Sequence, residues 1–158
     1  MNKRRFAIIF TGIALFFVMS AAASAQSVAL SGSIGKGTVT RGSSARATIV
    51  MSIPGGLHVN SNRPGSEYAI PTSVRVTVTG AKAGGVSYPR GRSRKFSFSD
   101  DSINVYEGRT SFTFNINVPA NFSGNTLRVR ATVRYQACTN EVCYPPTSKT
   151  VNLTARVN

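Results

Sequence analysis

Apolar and polar residues alternate with a period of two over most of the chain. Ala47, Ile49 and Met51 interleave with Arg46, Thr48 and Val50. Val74, Val76 and Val78 interleave with Arg75, Thr77 and Thr79. Phe112, Phe114, Ile116 and Val118 do the same with Thr113, Asn115 and Asn117. The longest run sets Leu127, Val129, Ala131, Val133 and Tyr135 against Arg128, Arg130, Thr132 and Arg134, and Val151, Leu153, Ala155 and Val157 close the chain in the same rhythm. Such alternation predicts strands with one face on a core and the other in water. β-branched and aromatic residues dominate the runs. Pro54-Gly-Gly56, Arg63-Pro-Gly65, Gly84-Gly85 and the stretch Asn121 to Asn125 punctuate them. No amphipathic helix is visible. Many short strands between turn signals predict an all-β fold, an immunoglobulin-like antiparallel β-sandwich.

Two stretches break the rhythm. His58 to Pro71 predicts a short strand, a structured loop and a second strand at Tyr68 to Ile70. Ser87 to Asp101 predicts a long excursion that carries Phe96 and Phe98, with Asp100-Asp101 as a turn.

The first residues follow another logic. Lys3, Arg4 and Arg5 precede an apolar run from Phe6 to Met19, then Ala23-Ser-Ala25. This is the pattern of a secretory signal peptide over residues 1–25, cleaved after Ala25. The remainder, 26–158, is one domain's worth of chain with no further apolar span, so a soluble, periplasmic and monomeric protein is expected. The chain carries 19 Lys+Arg against 5 Asp+Glu, a net charge of +14. Loss of the three basic residues of the signal leaves +11. That balance favours anionic partners, but no nucleic-acid-binding motif is present. The densest basic run, Arg90-Gly-Arg92-Ser-Arg94-Lys95, reads as a solvated loop.

Candidate chemistry sits in Tyr135-Gln-Ala-Cys138-Thr-Asn-Glu-Val-Cys143-Tyr-Pro-Pro146, which holds both cysteines of the chain. The last two alternating runs should pair as a hairpin, with Cys138 and Cys143 flanking its tip. Opposed antiparallel residues stand about 4.5–5.5 Å apart at Cα, and a disulfide needs about 4.4–6.8 Å. A bridge is therefore feasible. Pairing Cys138 with Cys143 in an unbroken ladder would set Ala131 against Thr150, core against solvent. A one-residue bulge at Pro145-Pro146 restores Ala131 opposite Val151 and Val133 opposite Lys149 or its neighbour. So small a ring stabilises by only about 2 kcal/mol, and small exposed rings are the labile kind. The residues alone leave a structural staple and a reactive pair equally open.

The segment Tyr135-Gln-Ala-Cys138 to Cys143-Tyr-Pro-Pro-Thr147 closely resembles the cysteine hairpin of the N-terminal domain of the DsbD family of thiol:disulfide interchange proteins. Leu57-His-Val-Asn60-Ser-Asn62 with Tyr68 and Ile70-Pro-Thr72, and Lys95-Phe96 with Phe98, Asp100 and Val105-Tyr-Glu-Gly108, resemble two further segments of that domain. The resemblance implies an immunoglobulin-like fold and protein-disulfide reductase activity in the bacterial envelope, with cytochrome c biogenesis among the processes served. It implies that Cys143 forms the mixed disulfide and that Cys138 resolves it. It implies a cap between Phe96 and Tyr106 that shields the pair, with Phe96, Phe98, Tyr106 and Tyr68 as cap or pocket residues. The partners implied are thioredoxin-like proteins and a separate membrane electron carrier, because the membrane and thioredoxin-like domains of the best-known members do not follow here.

Other residues carry less. Arg134, four before Cys138, would share its face in a regular strand and favour a thiolate, but with Arg128 and Arg130 it reads first as a solvated stripe. Glu141 in the tip would oppose a thiolate or contact a partner. Glu67 is a further candidate for the pocket rim. His58 is the sole histidine and reads as structural. With only two cysteines beside it, no metal site is expected, nor any cofactor. No Ser/His/Asp set, carboxylate pair or phosphate loop supports hydrolysis or group transfer. The competing reading is a non-enzymatic immunoglobulin-like binding module with a structural disulfide.

Overall fold

The computed structural model describes residues 27–158; the expected signal peptide lies outside the described residues. Twelve strands form three sheets of four. One sheet has the order β1-β3-β9-β6, built from β1 (Ala29–Ile34), β3 (Ser44–Ser52), β9 (Arg109–Asn117) and β6 (Lys82–Ala83). The second, β2-β12-β10-β5, joins β2 (Thr38–Val39), β12 (Thr147–Val157), β10 (Thr126–Tyr135) and β5 (Ser73–Val78). All pairings in these two sheets are antiparallel except β2 with β12. The third sheet, β11-β4-β8-β7, is assembled from β11 (Ala137–Cys138), β4 (His58–Asn60), β8 (Ile103–Tyr106) and β7 (Arg92–Arg94).

The alternating residues decide how the first two sheets pack. Ala47, Ile49 and Met51 of β3 and Phe112, Phe114 and Ile116 of β9 are buried. They share one core with Leu127, Val129, Ala131 and Val133 of β10 and with Leu153, Ala155 and Val157 of β12. Val74, Val76 and Val78 are only half-buried, because β5 is an edge strand. The fold is an immunoglobulin-like all-β sandwich.

Three expectations need correction. No strand forms at Tyr68 to Ile70, which lie in a loop. Ile70 donates its N–H to Gln136 Oε1, and its carbonyl accepts from Asn60 Nδ2, so side chains satisfy the backbone that a strand neighbour would have paired. The basic run at 90–95 is not simply a loop, since Arg92–Arg94 forms β7 on the edge of the third sheet. Nor is 87–101 wholly irregular, because Ser87 also bridges to Thr113.

Candidate functional site

The β10–β12 hairpin reaches the cysteines through a change of register. Ala131 pairs with Val151, Val133 with Lys149 and Tyr135 with Thr147. Beyond this, Tyr144 N–H donates to the Ala137 carbonyl and Cys138 bridges to Cys143, one residue out of phase. Gln136 therefore stands against both Pro145 and Pro146. The bulge falls where two prolines, unable to donate to the ladder, permit it. It also releases Ala137–Cys138 to pair with β4 of the third sheet, Ala137 with Val59 and Cys138 with His58.

Cys138 and Cys143 form a disulfide, with Cα atoms 4.0 Å apart. Its two sulfurs belong to residues in opposite environments. Cys138 is completely buried, at 0% exposure, whereas Cys143 is exposed. The tip between them is held by Thr139: its N–H donates to the Val142 carbonyl at 2.8 Å, and its hydroxyl accepts from the Glu141 and Val142 N–H groups.

Cys143 opens onto a cavity of about 180 Å³ that Phe98, Tyr68, Asn60, Ile103 and Gln136 also line. A ring stack runs from beneath the pair to the rim of this cavity. His58, the register partner of Cys138, stacks on Phe96 with centroids 4.2 Å apart. Phe96 in turn stacks on Phe98 at 5.2 Å. Phe96 is buried with Ile103 and Val105, while Phe98 is 42% exposed. A turn closed by Ser99 N–H donating to the Phe96 carbonyl presents both rings. On the other side of the hairpin a larger cavity of about 480 Å³ is lined by Leu57, Tyr135, Ala137, Thr139, Tyr144 and Pro145.

The candidates thus divide. Cys143, Phe98 and Tyr68 meet at one cavity, and Phe96 supports it from below. Tyr106 does not line it. Its hydroxyl donates to Asn62 Oδ1 at 2.7 Å, also reaches the Pro89 carbonyl, and accepts from Asn62 N–H. Burial pushes its phenol upward. It anchors the 60–65 loop. Glu67 is exposed outside the cavity. Arg134 is exposed while Cys138 is buried, because the chain changes sheets between them, so the shared face expected of a regular strand is absent. Burial lowers the His58 pKa below its ordinary 6.5; the Glu107 carboxylate opposes that shift and Arg94 adds to it. Glu107 and Arg94 themselves pair at 3.0 Å.

One residue, Gln136, escaped the sequence reading as part of the site. Gln136 Oε1 accepts from Asn60 Nδ2 at 3.0 Å and from Ile70 N–H, while its Nε2 donates to the Tyr144 carbonyl. It ties β4, the 66–70 loop and the cysteine tip together. A lone polar residue beside a cysteine carries no spacing signal. Among the described residues no group of three His, Cys, Asp or Glu side chains is placed to hold a metal ion, and no helix is long and apolar enough to cross a membrane.

An immunoglobulin-like domain with a half-buried, half-exposed disulfide at one end is the class that this fold and site define. Residues 26–155 match the family model described as "Thiol:disulfide interchange protein DsbD, N-terminal". The chain belongs to that family. Similar solved structures include the DsbD N-terminal domain of Neisseria meningitidis in the reduced form, at 17% identity over 70% of this chain and 80% of that one, TM-score 0.43. Another is the N-terminal periplasmic domain of ScsB from Proteus mirabilis, at 13% identity, TM-score 0.46, covering 78% of this chain and 44% of that one. The yeast GGA1 GAE domain is similar at 12% identity over 84% of this chain and 95% of that one, TM-score 0.44. No curated protein matches the chain.

Proposed function

We propose that this domain is a periplasmic thiol–disulfide exchanger in which Cys143 is the sulfur attacked and Cys138 the sulfur that leaves. The observation that carries the reading is the asymmetry of the pair, since an incoming thiolate can reach the exposed Cys143 but not the fully buried Cys138. Attack by a thiolate of a reduced partner forms an S–S bond to Cys143 and breaks the bond to Cys138, whose sulfur departs with the electron pair and takes up a proton. A second thiolate of the partner then attacks its own sulfur in the mixed disulfide. This releases Cys143, leaves the domain as a dithiol and leaves the partner oxidised. The same steps in reverse reduce an oxidised envelope protein. Family membership supports thioredoxin-like partners, and a separate membrane electron carrier is the donor we assign.

Phe98 and Tyr68 act as the rim that a partner must displace or cover. The exposed side chains Tyr68 and Phe98 line the cavity at Cys143, Val142 and Tyr144 flank that cysteine in sequence, and a docked partner would cover them.

The test is trapping with a thioredoxin-like protein whose own resolving cysteine is replaced and whose remaining cysteine is held as a mixed disulfide with thionitrobenzoate, which departs when a thiolate of the domain attacks. The Cys138→Ser variant should accumulate a mixed disulfide through Cys143, and Cys143→Ser should accumulate none. A reduction potential between roughly −120 and −270 mV accords with exchange. A potential below roughly −300 mV marks a structural bridge and favours the binding module instead.

A further inference from the structure

The outer face of the sheet β2-β12-β10-β5 concentrates one sign of charge. Arg128, Arg130 and Arg134 project from β10, Arg75 from β5 and Arg156 from β12, and all five are exposed. The register makes them one patch. Arg75 faces Thr132 and so lies diagonally between Arg130 and Arg134, while Arg156 faces Thr126 beside Arg128. With about 3.4 Å per residue along a strand and about 4.8 Å between strands, the five cations cover roughly 27 by 10 Å. Their neighbours are small hydrogen-bonding residues: Thr77, Thr132, Thr150, Asn152 and Thr154.

The compensating charges are elsewhere. All five carboxylates of the sequence, Glu67, Asp100, Asp101, Glu107 and Glu141, belong to the third sheet, its loops or the cysteine tip. The ion pair found among the described residues, Arg94 with Glu107, is also there, and none of the five sheet arginines makes a side-chain hydrogen bond with another described residue. An unneutralised face of this kind is not needed for the sandwich, whose arginines contribute nothing to the core. It seeks an anion that lies flat.

We propose that this face docks the domain on an anionic phospholipid bilayer. Guanidinium groups and hydroxyls suit phosphate oxygens, and a polybasic surface is drawn to anionic headgroups. The face bears no aromatic side chain on which nucleobases would stack. Cys138 pairs with β4 of the third sheet, beyond the last pairs of β10 with β5 and β12, so the disulfide lies outside the docked face.

Sedimentation with vesicles tests this, using residues 27–158, which contain every strand and the whole core described. Vesicles of phosphatidylcholine with phosphatidylglycerol should retain the protein at low salt and release it at high salt, and pure phosphatidylcholine should not bind it. Arg75→Gln/Arg130→Gln/Arg134→Gln should lower partitioning more than tenfold, since each cation near such a surface is worth about fivefold. Arg90→Gln/Arg92→Gln/Lys95→Gln removes the same charge from the other basic run and should cost much less. Arg128→Gln/Arg156→Gln gives an independent reading should the first variant fail to fold. Equal losses in the sheet and control variants would reduce the effect to net charge and overturn the proposal. So would binding to dissolved polyphosphate with none to the anionic vesicles.

Discussion

Phe96 and Phe98 stand two apart in sequence and differ in what they hold together. Phe96 is 5% exposed in a small cluster with Ile103 and Val105, so Phe96→Ala should destabilise the fold by about 3 kcal/mol in urea melts. Phe98 is a rim residue. Phe98→Ala should leave the midpoint nearly unchanged and speed reduction of the disulfide by dithiothreitol severalfold, as followed by thiol trapping. Equal reduction rates would remove Phe98 from any shielding role. His58 gives a pH signature. Burial lowers its folded pKa below 6.5, so the unfolded chain takes up a proton that the folded one refuses. Its contribution is therefore present above about pH 6.5 and is lost as the pH falls through the folded pKa. Thermal melts between pH 7.5 and 5 should show that loss, and His58→Phe, which keeps a ring against Phe96, should flatten it.

At the scale of elements, the legible strands are those whose alternation runs long enough to fix a face. β3, β9, β10 and β12 span nine to eleven residues; the first three bury every second side chain over most of their length, and β12 does so from Leu153 onward. β1 buries only Ile34 fully and β7 buries nothing, so no hydrophobic rhythm announces them. The third sheet is built from pairings of two or three residues, set by tertiary contacts rather than by local preference. The register change of the cysteine hairpin was readable because a one-place slip would have turned its core face outward. Its partner strand and the Gln136 network were not, since each depends on a neighbour distant in sequence. Gln136→Ala should cost about 1–3 kcal/mol by stranding the Asn60 amide and the Ile70 N–H, measurable by denaturant unfolding. In β1, a methyl group on Gly32 would collide with the Thr48 carbonyl oxygen. Gly32→Ala should therefore lower stability by about 1–3 kcal/mol through a shift of β1 against β3.

For the whole molecule, the sandwich and the disulfide are nearly separate sources of stability. The ring closed by Cys138 and Cys143 is short, so the double serine variant should lose about 2 kcal/mol and keep its fold, as judged by circular dichroism and thermal melting. Collapse of the fold in that variant would assign the bridge a structural role instead. The tip is also framed without its sulfurs, by Tyr144 N–H on the Ala137 carbonyl and Thr139 N–H on the Val142 carbonyl. Opening the S–S bond therefore need not redraw the surrounding loops. In the proposed exchange, a visitor that senses only contour meets the same silhouette before and after electron transfer. Whether the domain gives or receives is then written at one exposed residue, Cys143, and must be read by reacting with it.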